Sequence, residues 1–141
     1  MTKAAFVDTN VVIYAHDARD LRKQRIAQDL LEDLSIHSQA VVSSQVVQEF
    51  CHVMLRGERP LMVMTDLKTV LSEVLFPLMN HTPDPSFYES ALDLHNRYSL
   101  GYYDALIVQS AIDLGCDTLY SEDLQAGQKF GKLTVINPFK S

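Results

Sequence analysis

The chain has 141 residues, a formal net charge of −6 and 47% hydrophobic residues. That is one domain's worth of chain, read as a single unit over 1–141, with enough apolar residues for a core. The 21% of charged residues are too few for a disordered chain, and no apolar run approaches the roughly 20 residues of a membrane span.

The acidic balance excludes a broad basic surface that grips nucleic acid by charge alone, and it suits a basic protein partner or a site built from carboxylates. Asp8 interrupts the apolar run that a signal peptide would need, so a cytoplasmic location is expected. Cys51 and Cys116 lie far apart in apolar surroundings and in no CxxC spacing, which predicts reduced thiols.

In chain order, "AAFVD" reads as a short buried strand and "TNVVIYAHD" as a helix opened by a polar cap. "DLRKQRIAQDLLEDLSIHS" is an amphipathic helix with Leu21, Ile26, Leu30, Leu31 and Leu34 on its apolar stripe. "AVVS" is a second strand, and "SQVVQEFCHVMLRG" a helix ending at Gly57. "TDLKTVLSEVLF" is helical with Pro77 as its stop, and "LMNHT" is a third strand. "DPSFYESALDLHNRYS" has Asp84 as cap and Pro85 at the first helical position. "YYDALIVQSAIDLG" is a helix ended by Gly115, and "DTLYS" and "LTVINP" complete the strands. Strands alternating with helices predict an α/β fold, a parallel sheet covered on both faces. Ligands of such sheets gather beyond the carboxyl ends of the strands.

Four acids stand out by position. Asp8 closes the first strand and Asp123 follows "DTLYS", so both fall at the edge where sites form; Asp117, at the start of that strand, does not. Turned at 100° per residue, "DALIVQSAIDLG" places Ile107, Val108, Ala111, Ile112 and Leu114 on one stripe with Asp104 near its middle, and Gln109, Ser110 and Asp113 opposite. Glu49 borders the stripe of Val46, Val47, Phe50, Cys51 and Met54. Clustered carboxylates resist ionisation unless a cation compensates them, and an all-oxygen set suits Mg²⁺ or Mn²⁺. Such an ion supports phosphodiester hydrolysis. Of the histidines only His52, three residues from Glu49, is within plausible reach. Tyr98, Tyr102 and Tyr103 either pack a helix start or stack on bases.

These pieces resemble the PIN-domain family, in particular the toxin nucleases of VapBC-type toxin–antitoxin pairs. The resemblance is carried by "FVDTNVVIYA", "SQVVQEF", "YYDALIVQSA", and "LYSEDLQ" followed by "VINPF", and runs from about Ala4 to Phe139. It places the family's four acids on Asp8, Glu49, Asp104 and Asp123, its polar residues after the first acid on Thr9 and Asn10, and its Ser/Thr before the fourth acid on Ser121. "SED" offers Glu122 as well as Asp123, and the S-x-D spacing favours Asp123.

The resemblance implies a three-layer α/β/α sandwich around a central parallel sheet, and a Mg²⁺- or Mn²⁺-dependent endoribonuclease in which metal-activated water cleaves RNA to 5′-phosphate and 3′-hydroxyl products. It further implies a homodimer and a cognate antitoxin that covers the groove. Arg19, Arg22, Lys23 and Arg25 are candidate RNA contacts. One rival is a haloacid-dehalogenase-like phosphatase, which wants D-x-D where this chain has Asn10. Another is a non-catalytic module that binds RNA or antitoxin and has no need of four acids.

Overall fold

The computed structural model describes residues 4–140. Strand β1 (Ala5–Val7) runs into α1 (Thr9–Ala15) and α2 (Leu21–Ile36); β2 (Ala40–Ser43) runs into α3 (Ser44–Leu55). Helix α4 (Met64–Val70), a π-helical turn (Leu71–Leu75) and α5 (Phe76–Leu78) lead to β3 (Met79–His81). Helices α6 (Pro85–Tyr98) and α7 (Tyr102–Asp113) precede β4 (Thr118–Tyr120), β5 (Lys129–Phe130) and β6 (Leu133–Ile136).

The strands form one sheet in the order β3-β2-β1-β4-β6-β5, parallel throughout except for β5 against β6. Phe6 sits between Val41 and Leu119, and Leu119 beside Val135. All three residues of β1 are buried, as expected of a central strand covered on both faces. Phe6, Val42, Leu119 and Leu133 of the sheet pack with Val11, Val12, Phe50, Met54 and Val108 of the helices into the main core. From β1 the chain first builds toward β2 and β3, then returns to place β4 and β6 on β1's other side. The reversal between β1 and β4 opens a crevice at their carboxyl ends, which is where Asp8 and Asp123 lie.

Local chemistry accounts for the boundaries. Asp20 caps α2 by accepting from the Lys23 N–H, and Asp84 caps α6 by accepting from Phe87 N–H, with Pro85 following as expected. Pro77 does not stop its helix cleanly. It has no N–H to give to the preceding turn, and the backbone widens ahead of it, with the Phe76 N–H reaching Leu71 O across a π turn before the chain leaves for β3. Strand β5 escapes the sequence patterns because two residues carry no periodicity; it turns back onto β6 through Gly131, whose φ of +63° glycine adopts without strain.

Two faces differ from the predicted stripes. Leu21, at the first position of α2, is exposed, and the buried residues of that helix are Ala27 and Leu34. On α7, Gln109 and Ser110 are buried while Ile112 is exposed. Helix α7 packs against α6 through Leu106, which joins Phe87 and Ala91, and against the main core through Ile107, Val108 and Ala111. A helix covered on two sides buries polar residues too, and these are satisfied: Ser110 donates to Leu106 O and Gln109 to Asp113. Among the described residues no helix is long and apolar enough to cross a membrane.

Candidate active site

Asp8 is held at the sheet's edge by its own backbone, whose N–H donates to Tyr120 O at 3.0 Å. Its carboxylate turns into the start of α1, accepting from the Thr9 N–H at 2.7 Å through Oδ1. Through Oδ2 it accepts from Ser121 Oγ at 2.7 Å and from Asn10 Nδ2 at 3.4 Å. The side chain is almost wholly buried, and burial pushes its pKa up to about 7. The bonds from Ser121 and Thr9 oppose that rise, and the charges of Asp123 and Glu49 add to it.

Asn10 ties β1's end to β4's end. Its Nδ2 donates to Asp123 Oδ2 at 3.0 Å, and its Oδ1 accepts the Glu122 N–H at 3.1 Å. Ser121 repeats the device, accepting the Asp123 N–H at 3.2 Å while donating to Asp8. Thr9 reaches the other way, donating to Glu49 Oε1 on α3 at 2.9 Å. Asp104 enters from the first turn of α7, half-buried, its pKa raised by burial and then by the charge of Asp123. The fold thus brings Asp8, Glu49, Asp104 and Asp123, from four separate places in the chain, into one electrostatic neighbourhood. Thr9, Asn10 and Ser121 hold three of them in place.

Two groups went unrecognised in the sequence. Gln45, one turn before Glu49, extends Nε2 to Glu49 Oε1 at 3.4 Å and to Tyr103 O at 3.2 Å, tying α3 to the start of α7. Its four-residue spacing from Glu49 was the available signal. Glu122 has an occupation of its own: it accepts from Tyr14 Oη at 2.8 Å and ion-pairs with Lys23, which lies over the Tyr14 and Phe139 rings. That leaves Asp123 as the acid held by Asn10 and Ser121, in keeping with the S-x-D spacing.

The same contacts remove most of the expected basic groups. Lys23 is paired with Glu122, Arg19 with Asp17, and Arg22 donates to Phe139 O. Arg25 is exposed. Among the described residues no lysine or arginine forms a hydrogen bond or ion pair with any of the four acids. Tyr98 packs on Phe130, whereas Tyr102 and Tyr103 are exposed beside the acids, and His52 shares a shallow recess with Glu49 and Tyr103. Both cysteines are free, and burial raises the Cys116 thiol to about 11, so neither is an activated thiolate.

The donor chemistry fits a hard divalent cation. All the donors are oxygens, burial and then the charge of neighbouring acids raise the pKa values of Asp8 and Asp104, and among the described residues no lysine or arginine pairs with any of the four. Among the described residues no three acidic, histidine or cysteine side chains lie close enough together to hold a metal ion between them as they stand. An ion here would therefore complete its shell with water, as Mg²⁺ ordinarily does.

A short parallel sheet with acids gathered at its topological switch point is the arrangement of a PIN domain. The sequence profile of the PIN domain family matches residues 5–129, and the chain belongs to that family. No curated protein sequence matches the chain. Among solved structures, FitAcB from Neisseria gonorrhoeae superposes with a TM-score of 0.60 at 19% identity, over 96% of this chain and 98% of that one. FitAB bound to an IR36 DNA fragment gives 0.67 at 19% identity, over 97% and 96%. VapC20 of Mycobacterium tuberculosis, described as a toxin that cleaves the sarcin–ricin loop, gives 0.60 at 21% identity, over 85% and 90%. At these identities the likeness is one of fold.

Proposed function

We infer that the protein is a metal-dependent endoribonuclease, acting as one PIN domain and serving as the toxin of a toxin–antitoxin pair. The observation that carries this reading is the uncompensated carboxylate cluster: four acids at one sheet edge, three of them held by Thr9, Asn10 and Ser121, with no lysine or arginine among the described residues bonded to any of the four. A binding module has no use for so unfavourable a charge arrangement. Family membership and the fold shared with FitAcB and with the VapC20 toxin support the same reading.

Asp8, Glu49, Asp104 and Asp123 would hold Mg²⁺ or Mn²⁺, which when bound polarises a phosphoryl oxygen and eases deprotonation of the attacking water. The chain's own part is to orient these carboxylates and to offset part of the burial that opposes their ionisation. Ser121 and the Thr9 N–H stabilise charged Asp8, Asn10 fixes Asp123 against it, and Thr9 with Gln45 aims Glu49. None of the four needs to act as a general base.

Cleavage of RNA is expected with Mg²⁺ or Mn²⁺, to be lost in EDTA, and to return when either ion is restored. Full activity after exhaustive chelation, followed on a labelled RNA by gel, would overturn the metal mechanism.

The assembly expected is a homodimer in the cytoplasm neutralised by an antitoxin with a basic segment, in keeping with the net charge of −6. Sedimentation at micromolar concentration should show a dimer, and co-expression with a small adjacent gene product should suppress both cleavage and growth arrest. A monomer that no neighbouring product inhibits would indicate a solitary nuclease instead.

A further inference from the structure

Next to the acids, at the carboxyl ends of β2 and β3, the pairing slips: Val42 faces Met79 but Ser43 faces His81, so Asn80 is an extra residue. Such a bulge bends the strand and re-aims its side chains. Ser43 is also the cap residue of α3, yet it makes no cap hydrogen bond. Its hydroxyl is fully buried and has no hydrogen-bond partner among the described residues. It stands in the wall of a cleft of about 280 Å³ whose other walls include Gln48, His81, Phe87, Tyr102 and Tyr103.

Tyr102 and Tyr103 are 40% and 65% exposed, with ring centroids 5.3 Å apart. Gln45 links this cleft to the acid cluster through its bonds to Glu49 and to the Tyr103 carbonyl, one residue before Asp104. The cleft therefore adjoins the acid cluster, with Gln45 and Tyr103 in its lining. RNA binding here can draw little on positive charge, since three of the four basic candidates are occupied elsewhere and the chain is acidic. Stacking is the other general source of affinity for a single strand, and edge contacts from buried polar groups are the general source of base choice.

We propose that this cleft is a nucleobase pocket: a base flanking the scissile phosphate stacks on Tyr102, whose ring Tyr103 meets edge-on at 69°, and is read on its edge by the Ser43 hydroxyl with help from Gln48. It deepens the ribonuclease reading above and rests on it for the identity of the strand. A second copy of the chain could also cover exposed tyrosines, but an apolar protein face gains nothing from a lone buried hydroxyl, whereas a base edge supplies its partner.

The test separates binding from cleavage. Fluorescence anisotropy with labelled dodecamers of A, C, G or U is measured in EDTA at low salt, on the full chain and on Ser43→Ala and Tyr102→Ala. The full chain should prefer one dodecamer by roughly fivefold or more, Tyr102→Ala should weaken all four by roughly tenfold, and Ser43→Ala should level the preference to within about twofold. Ser43→Ala should melt no lower than the parent, because the hydroxyl it removes makes no bond among the described residues. Indifferent or absent binding by the parent, or variants that bind as the parent does, would overturn the pocket. So would conversion to monomer by Tyr102→Ala with RNA binding intact, which would give the face to a second copy. Loss of metal-dependent cleavage alone bears on the nuclease reading and leaves these binding outcomes to decide the pocket.

Discussion

Asp8→Asn should abolish RNA cleavage and at the same time raise the melting temperature of the metal-free protein at pH 8. Asn preserves the shape and can still accept the Thr9 N–H and meet Ser121, so the bonds around position 8 survive in kind. What disappears is a buried charge whose pKa stands at about 7 in the folded chain against an ordinary value of 3.8. The folded protein holds a proton between those values that the unfolded chain has released. Stability from this group is therefore fully present below about pH 4 and is lost as pH rises through about 7. The difference amounts to roughly 4 kcal/mol at its largest, or on the order of 10 °C in melting temperature less whatever the Asn itself costs.

Asp17, held below its usual range by Arg19, acts in the opposite direction on acidification, but it is common to both proteins and cancels in their difference. The gap between Asp8→Asn and the parent should thus be widest near pH 8 and close toward pH 4. Adding Mn²⁺ at pH 8 should reverse the order, because only the parent retains the ligand whose occupation stabilises the fold. An Asn variant that melts below the parent by the same margin at every pH would refute the assignment of Asp8.

Legibility in the sequence followed how local each cause was. Asp84–Pro85 announces a helix start by chemistry contained in two residues, and the structure begins α6 there. The strand "AVVS" was readable because a buried parallel strand is a nearly continuous apolar run. Helix α7 was readable as a helix but not in its facing, because a neighbour on each side buries Gln109 and Ser110, and no single apolar stripe records two partners.

The acids were legible by misplacement, a carboxylate at a strand's end or on an apolar stripe. Their supports were legible only in part. Asn10 and Ser121 stood beside an acid in the chain, but their bonds span 113 residues for Asn10–Asp123 and for Ser121–Asp8. The Tyr14–Glu122–Lys23 group was hidden altogether, since it joins α1, α2 and the loop after β4 by contacts that leave no spacing to read.

Asp104 offers the sharpest test of the cluster, because its two possible roles differ in sign. As a first-turn residue it would interact favourably with the amino end of α7, and Asn in its place would cost roughly 0.3–1 kcal/mol while sparing activity. As a member of the cluster it is pushed toward protonation by burial and by Asp123, so removing its charge relieves the metal-free fold. Asp104→Asn is therefore expected to lose RNA cleavage and growth arrest together while the metal-free protein melts higher at neutral pH. Asp113 is a poor control, since it accepts from Gln109 and lies against His81. Asp93, exposed on α6, serves better, and Asp93→Asn should leave both quantities where they were. An Asp104→Asn protein that cleaves at the parent's rate and melts lower would place Asp104 at a helix start and nowhere else.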